Sequence, residues 1–400
     1  MTSFLIEAYY FKKWLAFNVK RIYSTLMPLK KILIVLPSMD AGGVERIRII
    51  LANEFKAFGF EVEYALLNAK GSLLDIASKE NKIYDLKVNK IRYLPFKLRK
   101  LLKETKPDAV LASIWPVTVA TVFGVFLSRI SCSLVLSEHN HLSTQYQHKG
   151  FIHKILMRAS MFLCYGFASR VVAVSAGVKT DLQRLSYISH KKFEVIFNPI
   201  LPLKNSDNKK LNEVNSHWNS ANEKRIISVG SLKQQKNHSL LINAFAIVNT
   251  NLPSKLMIIG EGEERKNLEN QVKIMGLENQ VIFAGFQKDI NPFYQTADLF
   301  VLSSNYEGFG NVLLEALING VNIVSTDCKS GPAEILSNGK YGKLVPVNDV
   351  EALASGIIEV LKGSSIDQNI LQSRAREFHP SQIAKKYLSL LFPTQKHVKK

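Results

Sequence analysis

Short apolar runs alternate with amphipathic stretches along this chain, and that alternation constrains the fold more than any single motif. Lys31–Leu36 reads KILIVL, an apolar run of strand length. Runs of this kind mark strands covered on both faces of a parallel sheet. Pro37–Gly43 is a loop containing Gly42-Gly43, and Val44–Phe58 then places Ile47, Ile50, Leu51 and Phe55 at helical spacing. Gly59 ends the helix, and Glu61–Leu67 gives the next strand, which completes a βαβ unit. Strands are expected again at Ala109–Ile114, Ser133–Ser137, Val171–Val174 and Glu194–Phe197. After residues 201–222, polar, rich in Asn and read as an interdomain linker, the pattern restarts. Arg225–Val229, Lys255–Ile259, Val281–Ala284, Leu299–Leu302 and Asn322–Ser325 are expected strands. The fold class is therefore α/β, with two successive doubly wound domains at 30–200 and 223–378. Residues 379–400 are expected to form a last helix, with Ile383, Tyr387 and Leu390 packing, and a basic tail.

Two segments raise the question of a membrane. Ala109–Ser128 is uncharged, but Pro116 and its Ser, Thr and Gly residues fit a buried strand, a turn and a helix better than a span. Residues 1–29 place Phe4, Ala8, Phe11, Leu15, Val19, Ile22 and Leu26 on one helical stripe. Lysines lie opposite, and Glu7 interrupts any apolar core of a signal peptide, so either an in-plane membrane helix or a helix packed on the protein's own surface is expected.

Charge points the same way. The chain carries 52 Lys+Arg against 33 Asp+Glu, a net +19. Residues 1–200 hold 29 basic and 14 acidic side chains, so most of the excess lies there. Within Lys79–Lys106, ten basic residues face three acidic ones, including the basic amphipathic stretch FKLRKLLKETK. Nucleic acid, anionic lipid and phosphorylated substrates all suit such a surface. No zinc finger, RNP-type motif or helix-turn-helix accompanies the lysines, so nucleic acid is not an expected partner. Cys132, Cys164 and Cys328 form no disulfide framework or zinc motif. No G-x-G-x-x-G follows the first strand of either half, which disfavours a dinucleotide enzyme.

Ligands of doubly wound sheets bind beyond the strand C-termini, so the residues there carry the chemistry. Gly42-Gly43 brings backbone and a helix N-terminus close to an anion. Ser137-Glu138-His139-Asn140-His141 sits at a strand end, with His139 the stronger candidate of its two histidines. Gly230-Ser231 opens a loop containing Lys233 and Lys236, and Lys236 is the expected diphosphate cation. The stretch 303–316, SSNYEGFGNVLLEA, follows Leu302. Its Gly308-Phe309-Gly310-Asn311 backbone can cradle phosphate at a helix start. Glu307 and Glu315 flank that site, and carboxylates accept hydrogen bonds from sugar hydroxyls. Phosphate with hydroxyls on both sides describes a sugar nucleotide.

These residues resemble the retaining GT-B-type glycosyltransferases of family 4, over about residues 31–375. The likeness is most specific at Glu307-x7-Glu315 and is supported by GSLKQQKNHSLLINAF, IIGEGEER, VIFAGF, DCKSGPAEIL, FNPI and GGVER. It implies two Rossmann-like domains facing a cleft, the second holding a nucleotide-sugar donor, with UDP preferred, and the first the acceptor. Glu315 would hold the ribose, Glu307 the hexose, and Lys236 and Gly308–Asn311 the diphosphate. His139 would face the transferred sugar, Gly43 would close on the phosphates, and Arg265 would sit near the nucleotide. Many members carry Arg where this chain has Ser231, which removes one expected phosphate cation. No Asp-x-Asp occurs, in keeping with a reaction needing no metal or other cofactor. The expected activity is transfer of a hexose or N-acetylhexosamine to a lipid-linked oligosaccharide or a lipopolysaccharide or surface-polysaccharide acceptor. The expected location is the cytoplasmic face of the inner membrane, against its anionic surface. The alternatives are a nucleotide-sugar epimerase of similar fold and a basic nucleic-acid-binding protein.

Overall fold

The computed structural model describes residues 29–40, 42–200, 207–218 and 223–393. The amphipathic stretch expected within 1–29 lies outside them, except for Leu29. Two parallel sheets form. The first contains β1 (Lys31–Leu36), β2 (Glu61–Leu66), β3 (Lys82–Asp85), β4 (Ala109–Ser113), β5 (Ser133–Glu138), β6 (Arg170–Ala173) and β7 (Phe193–Val195), in the order β3-β2-β1-β4-β5-β6-β7. The second contains β8 (Lys224–Val229), β9 (Ser254–Ile259), β10 (Val281–Gly285), β11 (Leu299–Leu302), β12 (Asn322–Thr326) and β13 (Lys343–Val345), in the order β10-β9-β8-β11-β12-β13. Strand order reverses at β1/β4 and at β8/β11, the two crevices where a ligand is received. The fold is thus a pair of Rossmann-like α/β domains.

Helices cover both faces of the first sheet. On one side lies α1 (Gly43–Ala57), burying Ile47, Leu51 and Phe55. On the other lie α2 (Leu94–Thr105), α3 (Val117–Ser128) and α4 (Phe151–Tyr165). The segment Ala109–Ser128 is therefore strand, turn and helix. Among the described residues no helix is long and apolar enough to cross a membrane.

Three features differ from the sequence expectation. The expected linker contains α5 (Asn208–Trp218), which buries Val214 and Trp218. The Trp218 indole donates to Thr296 Oγ1 at 3.1 Å. Two anchors one turn apart are too few to produce a visible apolar period. Strands β3 and β13 carried no apolar signal because both are short edge strands with exposed residues. The last helix, α7 (Pro380–Leu391, after α6 at Asn311–Ile318), buries Leu391 with Ile383 and Tyr387, while the expected Leu390 packs partly buried against the same cluster. Leu391 lies four residues after Tyr387 and so continues its stripe. That helix packs back on α1 and the first sheet, with Phe392 stacked on Phe60 at 4.8 Å between ring centroids.

Candidate active site

A cleft of about 570 Å³ lies between the C-terminal ends of the two sheets, lined by both domains. It gathers Gly43, His139, Ser231, Lys236, Glu307, Gly308, Phe309, Gly310, Asn311 and Glu315. The domains touch at its floor. Asn198 Nδ2 donates to Asn311 Oδ1 at 2.9 Å. The Ser175 hydroxyl donates to the Gly308 carbonyl at 2.8 Å. A Cβ on Gly308 would stand 1.8 Å from the His139 carbonyl oxygen, so only glycine fits where the two backbones meet. Gly310, at φ +93°, turns the chain into α6. A Cβ on Gly43 would stand 3.1 Å from Asn311 Nδ2. The N-termini of α1 and α6 thus open on one space, and their free N–H groups and dipoles favour an anion there.

Lys236 enters from a 3₁₀ turn (Gln234–Lys236) held against the facing loop. Ser303 Oγ donates to the Lys236 carbonyl at 2.9 Å, and Gln235 Nε2 donates to the Tyr306 carbonyl at 2.9 Å. Lys236 Nζ donates to Glu307 Oε1 at 2.6 Å, and Ser304 Oγ donates to the same oxygen at 2.6 Å. The pair is largely buried. Glu315, one turn into α6, accepts from the Tyr294 hydroxyl at 3.2 Å. Burial pushes its carboxyl up to about 7, against the pull of that hydrogen bond and of Arg46 and Lys236.

The strand-end cluster after β5 divides its roles. Glu138 points inward and accepts from Trp115 N, Thr118 Oγ1 and Tyr165 Oη at 3.0, 2.8 and 2.5 Å. Burial raises its pKa, while those bonds lower it. His141 Nδ1 lies 3.5 Å from Asp181 Oδ2, away from the cleft lining. His139 lines the cleft. Its Nε2 stands 3.0 Å from Arg48 Nη2 and 3.0 Å from Ser137 Oγ. A guanidinium only donates, so Nε2 accepts and the ring hydrogen sits on Nδ1. Nδ1 is buried without a partner among the described residues. Burial, then the Arg48 charge, holds the His139 pKa well below the usual histidine range. The imidazole is a neutral N–H donor.

Arg265 sits at the edge of the cleft, paired with the lining residue Glu261. It lies outside the cleft lining, held by Glu261 at 3.2 Å and Glu269 at 2.5 Å, with its guanidinium over the Phe283 ring. Two functional candidates were not assigned from sequence. Arg46 lines the cleft and makes no side-chain hydrogen bond or ion pair with another described residue. Arg48 is fully buried, donates to Ser113 Oγ at 2.8 Å and lies over the Tyr387 ring. Its signal was present: Arg48 falls on the same helical stripe as Leu51 and Phe55, where a charge is out of place.

Residues 210–378 match the family Glycosyl transferases group 1, and residues 41–201 match Glycosyltransferase Family 4. A Campylobacter jejuni N-acetylgalactosamine-N,N'-diacetylbacillosaminyl-diphospho-undecaprenol 4-alpha-N-acetylgalactosaminyltransferase is 30% identical over 377 residues, covering 91% of this chain and 100% of the relative. The lipopolysaccharide core biosynthesis glycosyltransferase LpsE of Rhizobium meliloti is 26% identical, covering 88% of this chain and 96% of its own. Among solved structures, HepE of Anabaena in complex with UDP superposes with a TM-score of 0.77 at 22% identity, covering 91% of this chain and 99% of HepE. With both domains matched in order and one relative aligned along its whole length, this chain belongs to the GT-B glycosyltransferases of family 4.

Proposed function

We propose that this chain transfers a hexose or N-acetylhexosamine from a UDP-sugar, with retention at the anomeric carbon and without a metal ion. The acceptor is a lipid-linked oligosaccharide or a lipopolysaccharide or surface-polysaccharide precursor, met at the cytoplasmic face of the inner membrane. The observation that carries this reading is the Lys236–Glu307 bridge at the mouth of α6, with Glu315 one turn deeper. In the free cleft Glu307 occupies the cation that a diphosphate would take. Donor binding substitutes phosphate on Lys236 and leaves the Glu307 carboxylate to accept from sugar hydroxyls. Glu315 accepts from the ribose hydroxyls. His139 Nδ1–H donates to the transferred sugar.

As the bond to the sugar breaks, charge grows on the departing diphosphate. Lys236 and the N–H groups at the start of α6 already point into that region, so little reorganisation is needed. Ser231 supplies no charge, and Arg46 from the opposite domain takes the place of the second cation. Uracil as the base is supported by the UDP bound in the HepE complex. A lipid carrier is supported by the diphospho-undecaprenol named for the Campylobacter relative.

The test is a transfer assay with the full chain, a panel of UDP- and GDP-sugars and a diphospho-undecaprenol-linked acceptor, in the presence of EDTA. Proton NMR of the early product reads its anomeric configuration. An α-linked product from an α-linked UDP donor supports the reading. An inverted product, loss of turnover in EDTA, or conversion of the donor without acceptor (the epimerase outcome) contradicts it.

A further inference from the structure

The outer faces of α3 and α4 are apolar. Phe123, Phe126, Phe151, Ile152, Leu156, Phe162 and Phe167 stand out among the exposed large hydrophobic side chains, with Phe151 77% and Ile152 74% exposed. They form one patch rather than scattered residues. The two helices share a face of the first sheet, and Phe126 and Phe167 lie 6.2 Å apart between ring centroids. Ordinary soluble surfaces scatter such residues singly, and a contiguous patch marks an interaction surface.

Along the segment that carries the patch, the exposed charge is of one sign. From Ala109 to Thr180 the one acidic residue is Glu138, and it is buried. Arg129, Lys149, Lys154, Arg158 and Arg170 are exposed, each within α4 or within five residues of an end of α3 or α4. Next to α3 lies α2, whose Leu98 packs against Gly124 of α3 and whose outer face carries exposed Lys97, Arg99, Lys100 and Lys103. Aromatic and aliphatic side chains framed by cations fit the boundary between anionic headgroups and acyl chains. The patch also reaches the strand-end side of the first sheet. Trp115, at the end of β4, packs edge-on against Tyr146 and His153 at 5.2 and 5.6 Å, and His153 belongs to the first turn of α4.

We infer that the α3–α4 face, flanked by the cations of α2, docks this protein on an anionic lipid bilayer and brings the cleft to a membrane-held acceptor. The inference rests on the lipid-acceptor reading for its purpose, while the docking itself stands or falls separately. Residues 79–106 thus supply the cationic flank, and the apolar contact comes from α3 and α4.

The experiment is co-sedimentation of the full chain with vesicles of phosphatidylcholine alone or with about 30 mol% phosphatidylglycerol. The triple variant Phe126→Ser/Leu156→Ser/Phe162→Ser changes exposed side chains only. Its thermal shift with UDP is the control for fold and donor site. The expected result is binding of the wild type to anionic vesicles, weakened about tenfold or more in the triple variant. Lys97→Gln/Lys100→Gln/Lys103→Gln should weaken binding to anionic vesicles and flatten its salt dependence. Wild-type binding by the triple variant would overturn the inference, since another segment then makes the contact. So would a wild type that ignores vesicles and sediments as a dimer, which assigns the patch to a second copy. A vesicle-bound chain that ignores every nucleotide would leave the docking intact and contradict the proposed function instead.

Discussion

Arg48 Nη2 lies 3.0 Å from His139 Nε2, and the pair is buried with no ion pair from Arg48 to any described carboxylate. A buried cation beside a histidine keeps that histidine neutral and fixes its tautomer. Arg48→Met retains the apolar stem without the charge or donors. In this variant the His139 pKa should rise part of the way toward the ordinary value of about 6.5, because burial, the larger cause of its lowering, remains, and any acid limb of activity should move up with it. NMR titration of the His139 ring reads the shift directly, and an unchanged titration contradicts the role. The sign for stability is opposite to that of a salt-bridged histidine. His139 is neutral when folded and takes a proton near 6.5 when unfolded, so wild-type stability falls as the pH drops below about 6.5.

Glu315 predicts a trade between stability and binding. Its folded pKa of about 7 lies above the usual carboxylate value, so the folded state binds more protons across the interval between them. Stability should therefore fall as pH rises through that interval. Glu315→Gln removes the buried charge and keeps an acceptor for Tyr294. At pH 8 the variant should melt a few degrees higher than the wild type and lose most of its thermal shift with nucleotide. A variant that melts lower yet binds as well as wild type would assign Glu315 to packing alone.

Lys236 and Glu307 should show strong coupling in a double-mutant cycle. Removing one partner of a buried pair leaves an uncompensated charge, which costs up to about 3–5 kcal/mol. The costs of Lys236→Met alone and Glu307→Gln alone should add up to more than the cost of the double variant, which leaves no unpaired charge. Urea unfolding of the four proteins gives the coupling energy. A value near zero would mean that the bridge is incidental.

Gly308 and Gly43 separate two degrees of crowding. A Cβ at 308 meets the His139 backbone at 1.8 Å, whereas a Cβ at 43 meets only the Asn311 side chain at 3.1 Å. Overpacking of this kind typically costs about 1–3 kcal/mol, and more where backbone must move. Gly308→Ala should lower turnover by more than about 100-fold, and Gly43→Ala should be markedly milder. Equal effects in a steady-state assay would contradict the geometry.

The strands of both sheets that lie in the middle were legible because burial on both faces writes a continuous apolar run, as in KILIVL. Two of the four edge strands, β3 and β13, were not, since these short, half-exposed strands carry no such run, whereas the edge strands β7 and β10 were expected. Helix α5 was hidden because two anchors, Val214 and Trp218, hold it. Within the cleft, residues at strand ends in one loop were readable from chain order, as with Glu307 to Asn311. Relationships between segments far apart in the chain were not. Arg48 reaches His139 across a sequence distance of 91 residues, and Tyr387 reaches Ser137 across 250. Nothing local announces either.

The central claim is that this cleft holds a nucleoside diphosphate on Lys236. Isothermal titration of UDP and GDP into the full chain, in EDTA, tests it most directly, with Lys236→Ala as the comparison. The account predicts one UDP bound per chain without metal, weaker binding of GDP, and a loss of about tenfold or more in Lys236→Ala, or about 1.4 kcal/mol. Absence of binding by either nucleotide, or undiminished UDP affinity in Lys236→Ala, would contradict it.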